Sequence, residues 1–202
     1  MGITFKAVDL NLRIPVALKV LNLLLFQEEL ARRCFFREAR SAAKVRHPNV
    51  ASVYHLGSRG REIFYAMEFA EGETLEGLVR RSGCIEPMLA LEIAGQVAAG
   101  LVAVHQQNLV HRDIKPSNIM VRLDPGGAAA IKIIDLGLAK AVKEAHSQTA
   151  ISIPGAFAGT PGFASPEQFA RLGVDIRSDL YSLGATLWVT LTGDGSAHRN
   201  TT

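Results

Sequence analysis

The 202-residue sequence lacks the features that announce a secreted, disulfide-bonded or nucleic-acid-binding protein. It has two cysteines, Cys34 and Cys84, which lie far apart without metal-ligand spacing, so we expect reduced thiols in the core rather than a disulfide. Lys and Arg number 22 against 19 Asp and Glu, with no long basic run, so the charge gives no indication of nucleic-acid binding. A small ligand that carries phosphate remains compatible with this charge.

Long hydrophobic runs and targeting segments are missing as well. The apolar run IPVALKVLNLLLF at residues 14–26 is interrupted by Lys19 and is too short to span a bilayer. The N-terminus shows no signal-peptide pattern, and the chain shows no internal repeat. We therefore expect a cytoplasmic protein with no membrane segment in this chain; its oligomeric state is left open.

The first 70 residues have the pattern of strands around one helix. Good helix formers from 27 to 45 predict a helix, which RHPNV ends because the residue before a proline avoids the helical region. Turn-like residues separate apolar stretches on both sides of this helix. These stretches predict four strands in two hairpins: 3–8 with 14–21, and 50–57 with 62–69.

From residue 71 onward the pattern becomes mainly helical. An apolar stripe at spacings of three and four, from Leu89 to Val104, predicts a helix that ends near Asn108. The segments 118–123 and 129–135 predict two short strands, since the Asp-Pro-Gly-Gly run between them is typical of a turn. The last apolar segment predicts a buried helix with Ser178 as its N-cap.

A polar segment, HRDIKPSN at residues 111–118, lies between the predicted helix and hairpin. Burying so many polar groups is costly unless each finds a partner, so the segment is either an exposed turn or a site that uses it. Three more charges stand in unusual places: Lys19 in an apolar strand, Glu38 in the apolar stripe of the first helix, and Asp135 at a strand end. Taken singly, each has an ordinary explanation as a surface-reaching, rim or turn residue.

Lys19 in VALK, Glu38, HRDIKPSN, DLG and SPE in this order resemble the signature set of protein kinases, most closely the eukaryotic-type (Hanks-type) Ser/Thr kinases of bacteria. The resemblance implies an α+β, two-lobed protein kinase-like fold. It places a strand-rich N-lobe at 1–70 and a helical C-lobe at 71–202, both incomplete. The implied activity is transfer of the γ-phosphate of ATP to Ser or Thr hydroxyls of a protein substrate.

The resemblance gives each unusual charge a role in catalysis. Asp113 resembles the catalytic-loop base, and Lys115 would neutralise the transferred phosphate. Lys19 resembles the lysine that holds the α- and β-phosphates of ATP, with Glu38 fixing its direction. Two further residues, Asn118 and Asp135, would bind Mg²⁺, which prefers oxygen ligands.

The same resemblance implies a nucleotide site and a substrate-binding segment. The backbone at Glu68–Ala70 would bind adenine; the other residues implied at the nucleotide are Ala17, Met67, Met120 and Gly2. Arg112 resembles the receptor for a phosphorylated segment, since Arg suits bidentate phosphate recognition. That segment would hold the phosphoacceptor Thr149, with Ser147 and Ser152 as alternatives, the catalytic-loop contact Thr160 and the closing residue Glu167. The implied structural anchors are His111 and Asp179.

Several departures from the family pattern leave the activity of this chain open. The Gly-rich phosphate loop is nearly absent, with Gly2 as its only remnant. From residue 192 the sequence is polar and turn-like, where the family pattern continues with several more helices. Ser165 replaces the usual Ala before Pro-Glu, and Leu136 replaces Phe after Asp135. A kinase fragment truncated at both ends is therefore one interpretation, and a catalytically inactive pseudokinase that serves as an interaction module is the alternative. GTPGFASPEQ disfavours a third, small-molecule phosphotransferase.

Overall fold

The computed structural model describes residues 2–22, 29–59, 62–138, 161–170 and 172–194. Its strands are β1 (Ile3–Val8), β2 (Pro15–Asn22), β3 (Val53–Arg59), β4 (Glu62–Glu68), β5 (Glu73–Thr74), β6 (Ile119–Leu123) and β7 (Ala129–Ile133). Its helices are α1 (Glu29–Ala42), α2 (Leu75–Ser82), α3 (Pro87–His105), α4 (Pro166–Phe169) and α5 (Ile176–Thr192), with 3₁₀ turns at Pro116–Asn118 and Pro161–Phe163.

The N-terminal part is an antiparallel sheet of four strands in the order β1-β2-β4-β3. Both predicted hairpins are confirmed, since β1 pairs with β2 and β3 pairs with β4. The helix predicted between them is α1, which buries Phe35, Ala39 and Ala42. β4 alternates buried and partly buried residues, and the buried ones are Ile63, Tyr65 and Met67. This alternation is typical of a strand that turns one face to the core.

The C-terminal part is built around α3, whose predicted apolar stripe lies in the core. By length and composition alone, α3 would pass for a membrane-crossing helix, with a mean hydropathy of 1.7 over its most apolar window. One such helix is weak evidence, because the core helix of a soluble protein passes the same test. The predicted strands at β6 and β7 are confirmed as an antiparallel pair, which β5 extends to a sheet of three strands.

The loop after α1 joins the two parts of the protein. The backbone N–H of Ala51 donates to the carbonyl of Ile133 at 2.9 Å, and the N–H of Ile133 donates to the carbonyl of Asn49 at 2.8 Å. The side-chain amide of Asn49 also donates to Gln96 of α3 at 2.9 Å. These bonds attach the N-terminal sheet to β7 and α3 beside the segment 111–118.

Two predictions about individual positions are wrong. Asp175, not Ser178, is the N-cap of α5: its carboxylate accepts the backbone N–H of Arg177, and the helix begins one turn earlier than predicted. Ser178 is fully buried instead. Both cysteines are free, as predicted, but Cys84 is exposed and is not a core residue.

Helix α5 carries an exposed apolar face. Trp188 is 53% exposed, and Leu180 and Tyr181 are about half exposed on the same helix. The predicted burial of this helix therefore holds only for the face that contacts α3.

Two glycines of α3 are expected to respond to alanine with opposite signs. Gly95 has open space where a Cβ would lie, so Gly95→Ala should raise the free energy of unfolding by about 0.5–1 kcal/mol through helix propensity. At Gly100 a Cβ would lie 3.1 Å from the carbonyl oxygen of Asn49 and 2.9 Å from a methyl of Ile133. Gly100→Ala should therefore lower the free energy by about 1–3 kcal/mol. Urea unfolding of both variants checks the pair, and equal effects would contradict this packing.

Candidate active site

The polar segment 111–118 forms a loop between α3 and β6, and its groups bind one another. The carboxylate of Asp113 lies 3.1 Å from Nζ of Lys115. The side-chain amide of Asn118 donates to the same carboxylate at 3.1 Å and to the carbonyl of Asp113 at 2.8 Å. The 3₁₀ turn at Pro116–Asn118 brings Asn118 back to Asp113. The loop therefore groups a carboxylate, an ammonium and an amide within hydrogen-bond reach.

Asp179 fixes the beginning of this loop from below. It lies in the first turn of α5, is fully buried, and accepts the backbone N–H groups of His111 and Arg112, both at 2.8 Å. His105, at the end of α3, also contacts its carboxylate, with Nε2 at 3.0 Å. Sequence reasoning missed His105; its place six residues before His111, at the end of the apolar stripe, was the available signal.

His111 packs beneath the loop as a neutral side chain. It is fully buried, and burial lowers the pKa of its imidazole despite the surrounding carboxylates. Its Nδ1 accepts the backbone N–H of Asp113 at 3.3 Å, which leaves Nε2 to donate to the carbonyl of Ile134 at 3.3 Å. The imidazole thus links the loop to the end of β7.

Lys19 and Tyr65 meet Asp135 from the same face of the N-terminal sheet. They are directly opposite each other in the β2–β4 register, so their side chains lie side by side. The ammonium of Lys19 binds Oδ2 of Asp135, and the hydroxyl of Tyr65 donates to Oδ1 at 2.9 Å. Burial alone would raise the pKa of Asp135, but the charge and hydrogen bond of Lys19, with help from Tyr65, bring it below its ordinary value.

Sequence reasoning missed Tyr65. The alternation of β4 gave a signal, because an inward tyrosine two residues before Met67 has a hydroxyl that needs a partner. Burial, followed by the nearby Asp135 carboxylate, raises the pKa of Tyr65 well above its ordinary value. Its hydroxyl therefore keeps its proton and acts as the donor to Asp135.

In this structure Lys19 does not pair with Glu38, the residue predicted to fix its direction. Glu38, in the middle of α1, lies 3.9 Å from the guanidinium of Arg112, while Lys19 turns to Asp135. The β2–β4 register directs Lys19 toward the end of β7, and α1 places Glu38 beside Arg112 of the loop 111–118. Each of these partly buried charges still has an opposite charge beside it, so neither is isolated.

Two site residues hold a left-handed backbone conformation that non-glycine residues rarely adopt. Arg112 has φ of 64° and Asp135 has φ of 61°. Gly137 follows with φ of 52°, and a Cβ there would lie 2.0 Å from the carbonyl oxygen of His111. DLG therefore needs its glycine for close approach to the loop 111–118. Strain of this kind persists only where surrounding bonds hold it, as Asp179 holds Arg112.

The residues predicted at adenine lie along β2, β4 and the connection that follows β4. Ala17 is opposite Met67 in the β2–β4 register, and Met67 is buried. The carboxylate of Glu68 pairs with Lys132 of β7 at 2.8 Å. Gly2 packs against β2, where a Cβ would lie 2.2 Å from the carbonyl oxygen of Val20, so backbone packing alone requires glycine there.

A cavity of about 530 Å³ borders the connection after β4. Four residues of the predicted nucleotide site line it: Glu68, Phe69, Ala70 and Met120. Asn49, Gln96 and Lys132 form part of its other walls. Lys19 and Asp135 do not line this cavity.

The predicted phosphoacceptor Thr149 and the predicted contact residue Thr160 lie outside the described residues, as do Ser147 and Ser152. Glu167, at the start of α4, accepts a hydrogen bond from the hydroxyl of Ser178. This bond lowers the pKa of Glu167. Ser178, which the sequence predicted as a helix N-cap, is therefore the partner of Glu167.

The side chain of Gln168 connects α4 to the loop 111–118, and Ser165 binds that side chain. Oε1 of Gln168 accepts the backbone N–H of Ser165 at 3.0 Å, and its Nε2 donates to the carbonyl of Arg112 at 3.0 Å. Ser165 is fully buried, and its hydroxyl lies 3.4 Å from Oε1 of Gln168. The serine that replaces the usual alanine thus lies against the glutamine whose side chain contacts the loop.

The donor set fits Mg²⁺ when phosphate oxygens complete it. The amide nitrogen of Asn118 is used by Asp113, and within the described residues its Oδ1 accepts no hydrogen bond, which leaves an oxygen for a cation. Asp135 supplies a carboxylate that is 28% exposed. In the described part of the chain, no group of three or more His, Cys, Asp or Glu side chains is placed to hold a metal. Mg²⁺ typically uses one or two protein oxygens together with phosphate and water.

Comparison with known proteins identifies the family to which this chain is similar. The protein kinase domain family model matches residues 1–201. Serine/threonine-protein kinase PknB of Mycobacterium leprae is 37% identical over 190 residues, which cover 92% of this chain and 29% of PknB. Serine/threonine-protein kinase pkn3 of Myxococcus xanthus is 36% identical over 194 residues, which cover 96% of this chain and 36% of pkn3. The chain thus spans less than two fifths of either relative.

A solved structure agrees with the sequence relatives. The crystal structure of the Mycobacterium tuberculosis PknI kinase domain matches with a TM-score of 0.78 and 26% identity, covering 100% of this chain and 73% of that one. The predicted two-lobed kinase-like fold, with a strand-rich first part and a helical second part, is confirmed as part of a kinase domain. The chain belongs to the protein kinase family, and bacterial Ser/Thr kinases are among its relatives.

Proposed function

We propose that this chain carries the catalytic site of a Ser/Thr protein kinase, which transfers the γ-phosphate of ATP to Ser or Thr hydroxyls of protein substrates. One observation supports this above all others: the group formed by Asp113, Lys115 and Asn118 lies in the loop that His111 links to the end of β7, beside the Lys19–Asp135 pair. Phosphoryl transfer depends mainly on positioning and on neutralising charge, and this arrangement supplies both.

Each group has a task that matches its chemistry. Asp113 would accept the proton of a substrate hydroxyl, and Lys115, 3.1 Å away, would neutralise the phosphate as it transfers. Lys19 would hold the α- and β-phosphates, for which its ammonium must leave Asp135. Asn118 and Asp135 are the residues that would hold Mg²⁺, which would neutralise phosphate charge when bound.

The remaining assignments follow from the family. The backbone at Glu68–Ala70 would bind adenine, with Ala17, Met67 and Met120 around the ring and Gly2 near the phosphates. Arg112 would receive a phosphorylated Thr149 in place of Glu38, and Thr160 and Glu167 would position the substrate segment. We also propose a cytoplasmic location for this part of the protein and a protein, rather than nucleic acid, as its substrate. The pseudokinase alternative is not favoured, because Lys19, Asp113, Asn118 and Asp135 are all present.

Mass spectrometry after incubation with Mg²⁺ and ATP tests this function. We expect phosphate on Ser or Thr residues of the chain itself or of a generic basic protein, and none when Mg²⁺ is removed with EDTA. The Asp113→Asn protein is the matched control, because it keeps the shape of the side chain and removes its charge. Transfer that persists at the wild-type rate in this control would contradict the role proposed for Asp113. A folded wild-type chain that transfers no phosphate would contradict the proposed activity.

A further inference from the structure

Lys19 and Tyr65 both contact Asp135, and the proposed reaction gives a role to Lys19 and Asp135 but none to Tyr65. Its side chain is 2% exposed, and its hydroxyl donates to Oδ1 of Asp135 at 2.9 Å. Hydroxyls are buried at a cost unless they are bonded, so a tyrosine here needs this carboxylate. The bond also crosses 70 residues of sequence, from the middle of β4 to the end of β7.

We propose that Tyr65 is a positioning residue that orients the Asp135 carboxylate toward Mg²⁺; the proposal rests on the function proposed above. Asp135 has two oxygens, and Tyr65 and Lys19 each bind one of them. The two contacts differ in how firmly they are held. Tyr65 is a short, rigid ring packed in the core, whereas Lys19 ends a flexible chain.

This difference decides which contact remains when nucleotide binds. Lys19 would turn to the phosphates and release Oδ2, while the ring of Tyr65 has no such freedom and keeps Oδ1. The hydrogen bond from Tyr65 would then prevent the carboxylate from rotating, and Oδ2 would be left for Mg²⁺. Metal-binding carboxylates are commonly held by a second hydrogen bond of this kind, and loss of the partner weakens metal binding by about 10- to 100-fold.

The register of the sheet explains why a tyrosine can do this. Tyr65 is opposite Lys19, and Met67 is opposite Ala17, so the inward face of β2 and β4 presents the ammonium and the phenol side by side. A one-residue shift in either strand would turn one of the two side chains to the other face. The left-handed backbone of Asp135, with φ of 61°, then sets its carboxylate between them.

Tyr65→Phe tests the proposal because it removes one oxygen and keeps the ring. The probe is a non-hydrolysable ATP analogue, titrated calorimetrically with saturating Mg²⁺ and again in EDTA. We expect the affinity with Mg²⁺ to fall by about tenfold or more and the affinity in EDTA to stay within about twofold. Tyr54→Phe is the matched control, since Tyr54 lies on the neighbouring strand and is 51% exposed; both of its affinities should equal those of the wild type.

Two results would overturn the proposal. If Tyr65→Phe lowers both affinities equally, the hydroxyl supports the fold and not the metal site. If neither affinity changes, the hydroxyl has no effect on Asp135. A wild-type chain that binds no analogue under either condition would instead contradict the proposed function and, with it, the metal role.

A double-mutant cycle reports on the hydrogen bond without nucleotide. Urea unfolding is measured for Tyr65→Phe in the wild type and in an Asp135→Ala background. If the bond positions Asp135, the loss of stability caused by Tyr65→Phe should disappear once the carboxylate is gone. An equal loss in both backgrounds would show that the hydroxyl acts elsewhere, and would overturn the positioning role even where nucleotide binding is intact.

Discussion

Asp179→Ala is expected to lower the free energy of unfolding by about 3–5 kcal/mol, because it removes the acceptor that buried donors share. The carboxylate is fully buried and binds the backbone N–H groups of His111 and Arg112 and the ring of His105. Alanine would leave these donors without a partner and open a small cavity. The left-handed backbone of Arg112 would lose the bond that holds its N–H in place.

Urea unfolding of Asp179→Ala and Asp175→Ala measures this effect against a matched control. Asp175 is an aspartate of the same helix end, but it is partly exposed and caps only the N–H of Arg177, so its loss should cost about 1 kcal/mol. Amide exchange should also quicken at His111 and Arg112 in the Asp179 variant. Equal costs for the two variants would contradict the anchoring role. If Asp179→Ala is too unstable to purify, Asp179→Asn, which keeps one acceptor oxygen, allows the same comparison.

The elements of the fold could be predicted because each depends on local signals. Apolar stretches between turn residues placed the strands, and a run of good helix formers placed α1. The spacing of apolar residues placed α3, and Asp-Pro-Gly-Gly placed the turn between β6 and β7. The N-terminus of α5 was misjudged, since Asp175 and Ser178 are both residues that cap helices well. Burial decided between them, because Ser178 lies in the interior against Glu167.

The residues of the site could also be predicted from the sequence, but the contacts between their side chains could not. HRDIKPSN and DLG placed the polar residues in sequence, whereas the partner of Lys19 depends on the β2–β4 register and on where α1 lies over the loop. Neither is a local property. Tyr65 and His105 were missed for the same reason, since each is an ordinary apolar-face residue until the fold brings a carboxylate to it.

Asp113→Asn is expected to reduce the rate of phosphate transfer by about 100- to 10,000-fold, the range that a positioned general base contributes. The substitution keeps the size of the side chain. Its amide oxygen can still accept the hydrogen bond that Asn118 donates to Asp113 at 3.1 Å in the wild type. It removes the negative charge beside Lys115 and the group that would take the substrate proton. The fold should therefore survive while the chemistry fails.

Initial rates at saturating Mg²⁺ and ATP, together with calorimetric nucleotide binding, separate these contributions. We expect the nucleotide affinity of Asp113→Asn to stay within about threefold of the wild type, because the proposed nucleotide contacts come from Lys19, Asn118 and Asp135. Asp124→Asn makes the same chemical change in the turn between β6 and β7, outside the site, and should transfer phosphate at the wild-type rate. A rate for Asp113→Asn within tenfold of the wild type would mean that Asp113 does not take the proton. Catalysis would then rest on the charges of Lys19, Lys115 and the metal alone, which hold the phosphate but do nothing for the incoming hydroxyl.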